Sequence, residues 1–98
     1  MNGYVIANID VKNTEVYKKY VEGVVSTIKK FGGEYLVRAG EFKVMEGEWK
    51  HSRTVVIKFP NYEKALECHN SKEYQAGWDL AKNTTERHMQ VIEGFSTE

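Results

Sequence analysis

The spacing of apolar residues changes period repeatedly along this 98-residue chain, and that succession leaves few folds open. Residues 4–9 are apolar on both alternating sets, Tyr4 and Ile6 on one and Val5, Ala7 and Ile9 on the other, as in a strand covered on both faces. From residue 14 to 31 the period lengthens: Tyr17, Tyr20, Val21, Val24, Ile28 and Phe31 recur at intervals of three and four, one stripe of a helix. Asn13 is placed to cap its start, with Glu15 in the first turn. Lys29 and Lys30 suit the negative end of the dipole, and Gly32-Gly33 supplies the stop. Residues 34–39 return to a strand pattern with a bend at Gly40, resumed over 42–45. A turn at 46–48 leads to the strand 53–59 (RTVVIKF), so 34–59 reads as a hairpin. Pro60 ends it and Asn61 caps a short helix over 62–69, with Ala65 and Leu66 toward the core. Ser71 caps a further helix to residue 82, whose apolar face is Tyr74, Gly77, Trp78 and Ala81. Residues 87–93 (RHMQVIE) form the last strand.

The order is β-α-β-β-α-β with the second helix broken in two, an α+β chain of the ferredoxin-like, split βαβ type. Four antiparallel strands then carry helices on one face. The whole span 1–98 is expected to be one domain, the size being too small for two. A chain of this length buries only about 60–65% of its unfolded surface. Because several strands are apolar on both sets, the uncovered sheet face also needs a partner, and a second copy is the simplest supply. The expectation is therefore a homodimer, closed as a dimeric α+β barrel.

Charge narrows the partners. Fourteen basic residues balance fourteen acidic ones, and no Lys/Arg stripe marks a nucleic-acid face. No apolar run approaches a membrane span, and the N-terminal residues MNGYVIANID do not read as a signal peptide; a cytoplasmic protein is expected. Cys68 is the single cysteine, which rules out an internal disulfide and a cysteine zinc site.

Four segments, GGEYLVRAGEFKVMEGEW (residues 32–49), RTVVIKFPNYEKA (53–65), SKEYQA (71–76) and VIEG (91–94), together resemble the domain-of-unknown-function family numbered 1330. The resemblance runs from Tyr4 to Gly94. It implies a ferredoxin-like fold and a dimeric α+β barrel, and it implies no reaction. The wider superfamily includes cofactor-free quinol monooxygenases, haem-degrading enzymes, muconolactone isomerases and stress-responsive barrel proteins, among which fold does not choose. One departure stands out. Many members of the family it resembles carry an arginine in the second helix where this chain has Leu80-Ala81, and the adjacent Lys82 is not an equivalent bidentate donor. By analogy with haem-binding relatives, His69 would be an axial ligand candidate; no sequence feature supports it beyond the analogy.

The candidate substrate-binding residues are Tyr35, Arg38, His51, Arg53, Tyr74, Trp78 and His88. Arg38, on a strand, has the planar fork that suits a carboxylate or phosphate; the alternative is an ion pair with Glu41, Glu46 or a partner's acid. Tyr35, three residues away, points to the opposite face if the strand is regular. His51 and Arg53 either flank a pocket mouth or are a solvated loop histidine and an edge charge, and Trp49 caps a cavity or joins an interface. Tyr74 and Trp78 share a helix face, as core or as a pocket wall. His88 has Glu86 and Gln90 on its own face of the last strand, an arrangement for handling a proton or simply a polar sheet edge. The three histidines lack metal-ligand spacing. Cys68 and His69 diverge around a helix, so no base activates the thiol. No phosphate loop, serine triad or carboxylate pair is visible, and neither metal nor cofactor is expected. Two readings follow. One is a binding protein or cofactor-independent enzyme for an anionic, apolar small molecule held between helices and sheet. The other is a non-catalytic dimeric module whose polar residues serve an interface.

Overall fold

The structure, a computed structural model, describes residues 1–96. Its elements run β1 (Gly3–Val11), α1 (Thr14–Lys30), β2 (Glu34–Arg38), β3 (Arg53–Phe59), α2 (Tyr62–Asn70), α3 (Lys72–Asp79) and β4 (Thr85–Glu93). The strands form one antiparallel sheet in the order β2-β3-β1-β4, the ferredoxin-like arrangement.

The caps form where the sequence places them. Asn13 accepts from the Val16 amide at 3.1 Å and Asn61 from the Lys64 amide at 2.8 Å. Ser71 closes α2 and opens α3: its hydroxyl donates to the Cys68 carbonyl at 2.7 Å and accepts from the Tyr74 amide at 3.2 Å. At the end of α1 the Gly32 amide bonds Lys29 O at 2.9 Å and the Gly33 amide bonds Ile28 O at 2.8 Å, a Schellman motif. Gly32 has φ +85°, a conformation that favours glycine.

The alternation in β1 sets the layers. Val5, Ala7 and Ile9 are buried toward the helices, with Ile57 and Phe59 of β3 and Tyr20, Val24 and Ile28 of α1. Gly77 lets α1 and α3 approach, since a Cβ there would lie 2.6 Å from Val24 Cγ1. Tyr4, Ile6 and Val56 face the other way, joined by the exposed Val37 and Ile92, and among the described residues no helix covers that face. The molecule is accordingly thin, 42 × 38 × 17 Å.

Two expectations are corrected. Residues 42–45 form no strand: the connection 39–52 runs irregularly, and Phe42, Val44, Met45 and Trp49 stay exposed. Its alternating pattern needs a hydrogen-bonding neighbour, and among the described residues no strand pairs with it. Element ends also move. α3 stops at Asp79 rather than residue 82, because Leu80, Ala81 and Lys82 close in turns onto Gly77 and Trp78, and β4 starts two residues early, at Thr85 opposite Val11.

Candidate functional site

A cavity of about 370 Å³ lies between α1 and the sheet. Its floor is the apolar row Val5, Ala7 and Ile9, extended by Val55, Ile57 and Met89; α1 contributes Tyr17, Tyr20 and Val21. The polar lining is mostly cationic and phenolic: Arg38, Arg53, Arg87 and Lys18, with Tyr17, Tyr20, Tyr35 and Tyr74.

Strand register explains how three arginines reach one space. Arg53 and Arg87 are both Cα partners of Ile9, one from β3 and one from β4, so they flank it on the helix-facing side. With strands about 4.8 Å apart, their Cα atoms are about 10 Å from each other. Arg38 arrives by an irregularity. Tyr35 pairs with Ile57 and Arg38 with Val55, while Val37 pairs with Val56, so one residue too many is fitted between Tyr35 and Val37. That bulge turns Tyr35 and Arg38 to the same face, correcting the expectation for a regular strand. The Arg38 guanidinium lies 4.8 Å from the centre of the Tyr35 ring. Ala39 follows at φ +56°, its amide bonded to Thr54 O at 2.9 Å, and it too lines the cavity.

The deepest polar contacts gather around Arg87. Its Nη1 donates to Tyr20 Oη at 2.8 Å and to Tyr74 Oη at 3.0 Å, and the two hydroxyls are 2.8 Å apart. The guanidinium stacks 3.6 Å from the centre of the Trp78 ring. Arg53 sits 5.5 Å from the Tyr17 ring centre. Among the described residues none of these three arginines has a carboxylate within ion-pair distance, and no Asp, Glu or His lines the cavity. Burial raises the phenols: Tyr17 and Tyr20 are held above the ordinary tyrosine value, and Tyr35 is pushed up to about 12.

Of the sequence candidates, Tyr35, Arg38, Arg53 and Tyr74 line this cavity, and Trp78 stands just behind, against Arg87. His51 and His88 are elsewhere, on the opposite face of the sheet. His88 is the partner of Asn8, on the outward phase of β1, and its ring centre is 4.9 Å from that of His51. His51 Nδ1 is 2.9 Å from Asp10 Oδ2, and the other Asp10 oxygen accepts the Ser52 amide at 2.9 Å and the Ser52 hydroxyl at 3.0 Å. The Ser52 amide first, and His51 second, hold the Asp10 carboxyl below its usual range. His88 also lies 3.6 Å from Glu86. This cluster tethers the segment before β3 to β1, and the residues described contain no group of three or more His, Cys, Asp or Glu able to hold a metal. Cys68 is buried, its thiol raised to about 11 by that burial, and His69 packs on Tyr74 with ring centres 5.4 Å apart.

Arg87, Tyr17 and Tyr20 were not among the sequence candidates. Arg87 carried a readable signal, being in phase with Met89 and Val91 and out of phase with Glu86, His88 and Gln90. Tyr17 and Tyr20 lie on the apolar stripe of α1, and nothing in the sequence separates a stripe that packs from one that roofs a space. At the position of the family departure, Ala81 is fully buried and Lys82 is paired with Asp79 at 3.0 Å.

Residues 2–95 match the DUF1330 family, a domain of unknown function. Solved structures share the fold at low identity. A protein of unknown function from Rhodopseudomonas palustris superposes with a TM-score of 0.77 at 8% identity, over 97% of this chain and 83% of that one. A Caulobacter crescentus protein provisionally described as an antibiotic biosynthesis monooxygenase gives 0.67 at 10% identity, over 97% and 91%. A protein from Bacteroides fragilis, described as dimeric, of unknown function and ferredoxin-like, gives 0.64 at 13% identity, over 95% and 96%. No curated protein matches the chain. Among the described residues no helix is long and apolar enough to cross a membrane. The chain belongs to the DUF1330 family.

Proposed function

We propose that this DUF1330 chain binds a small anionic molecule with an apolar body in the cavity between α1 and the sheet. The observation that carries this reading is the charge of the cavity: three arginines and Lys18 on an apolar floor, with no acidic residue in the lining among the described residues. Arg53 and Arg87 are half-buried and Arg38 is exposed, and with no carboxylate paired to them among the described residues an incoming anion offers all three a partner. The rings of Tyr17, Tyr20 and Tyr35 supply flat apolar contact for the rest of the ligand. The fold shared with a protein described as a monooxygenase supports an enzymatic form of this reading only at the level of architecture.

The test is thermal unfolding and calorimetry with aromatic carboxylates and their neutral amide isosteres. The acids are expected to bind and raise Tm, and the amides to bind at least about 10-fold more weakly, a charge-assisted hydrogen bond being worth about 1.5–3 kcal/mol. Arg53→Met and Arg38→Met each weaken the acid and leave the amide unchanged. Equal binding of acid and amide rejects the anchor.

The chain itself is also proposed to be a homodimer, built on the outward face of Tyr4, Ile6, Val37, Val56 and Ile92 together with the exposed connection 39–52. Similarly folded proteins described as dimeric support this. The interface reading of the polar candidates is favoured for His51 and His88 alone, since they stand on this face.

A further inference from the structure

The hydrogen bonds around Arg87 do not close on themselves. Nη1 has two hydrogens, one going to Tyr20 Oη at 2.8 Å and one to Tyr74 Oη at 3.0 Å. Across the 2.8 Å between the hydroxyls, one phenol donates and the other accepts. Whichever way it runs, the accepting hydroxyl receives two hydrogen bonds, fills both lone pairs and keeps its own proton. Among the described residues that proton has no acceptor. Tyr20 is 4% exposed and Tyr74 5%, so bulk water does not readily serve it. The unfilled space that both rings and Arg87 border in common is the cavity.

We propose that this hydroxyl pair, backed by Arg87, is an oxyanion site that holds a single ionised oxygen, so that the ligand is a phenol or enol bound as its conjugate base. This rests on the cavity being a ligand site, and it adds which kind of oxygen the deep end selects. A phenol that accepts two hydrogen bonds, one of them from a guanidinium, is a polarised donor. A single O–H bordering a space with a largely apolar floor suits one oxygen bearing localised charge, whereas a carboxylate asks for two parallel donors. Burial keeps Tyr20 protonated far above neutrality, so the site remains a donor through the range where an acidic phenol ionises. With no Asp, Glu or His in the lining among the described residues, the proton of the ligand goes to solvent on binding.

The experiment titrates para-nitrophenol spectrophotometrically with and without saturating protein, with para-nitrobenzoate as a parallel ligand in calorimetry. The bound phenol is expected to ionise at a pH about one unit lower than the free compound, a roughly 10-fold change in its ionisation constant. Tyr20→Phe and Tyr74→Phe each reduce the shift, because one hydroxyl still faces the ligand but without its partner. The double variant, checked for a native circular dichroism spectrum, abolishes it. If para-nitrobenzoate binds while bound para-nitrophenol titrates at its free value, or if the double variant keeps the shift, the oxyanion site is refuted and the binding cavity stands. If neither compound binds, the cavity reading falls with it.

Discussion

Tyr35 and Arg38 show how one inserted residue decides what a strand presents. Three positions apart, they belong on opposite faces of a regular strand, and the bulge between Tyr35 and Val37 puts both into the cavity. The phenols gathered there make a prediction on pH. Burial raises Tyr17, Tyr20 and Tyr35, the last to about 12, while in the unfolded chain a tyrosine ionises near ~10. A raised folded value means the contribution is intact below ~10 and is lost as pH climbs toward the folded values. Alkaline unfolding should therefore begin above about pH 10 and coincide with tyrosine ionisation followed by ultraviolet absorbance, and Tyr35→Phe should move its midpoint upward. Tyrosines that all titrate at the ordinary value in a chain still folded would contradict the burial.

At the scale of elements, the caps and stops are local chemistry and the spacing between helices is not. Asn13, Asn61, Ser71 and the Gly32-Gly33 pair act through hydrogen bonds within a few residues of themselves, which is why the sequence displays them. Gly77 has a different reason to be glycine. It sits inside α3, where glycine costs about 1 kcal/mol in propensity relative to alanine, and its merit is the close pass of Val24 on α1. Gly77→Ala should lower stability by about 1–3 kcal/mol in urea unfolding despite the better propensity, since the β-branched Val24 cannot swing away. The same substitution pushes the cavity roof outward, so binding of an aromatic acid should weaken with it. A stabilised variant would mean that α1 and α3 are free to separate.

At the scale of the molecule, a sheet with helices on one face leaves Ile6, Val56, Val37 and Ile92 facing outward in a body only 17 Å thick. The connection 39–52 adds Met45, 81% exposed, and Trp49, 50% exposed. An apolar surface of this extent is what a dimer of small subunits covers. Native mass spectrometry should give twice 11.3 kDa. Val56→Lys, on the outward face and clear of the cavity, should halve that mass without altering the circular dichroism spectrum. A native chain that is monomeric at micromolar concentration would leave the outward face unexplained.

The sequence by itself determined the order of elements, their caps, the apolar stripe of the first helix, and the excess of apolar surface that asks for a second copy. Each is written in spacing along the chain, because helix and strand periods and capping bonds act over a few residues. It displayed Arg38 and Arg53 as charges on strands, and Arg87 equally, since its inward phase was there to read. Only the tertiary structure decided that these three share one space, because register between strands distant in sequence, and the single extra residue in β2, set which side chains meet. It likewise separated His51 and His88 from the cavity by the thickness of the sheet. The Tyr20–Tyr74 contact spans 54 residues and exists only once α1 and α3 pack around Gly77. Local periodicity has no term for such a meeting; the packing of one helix against another creates it.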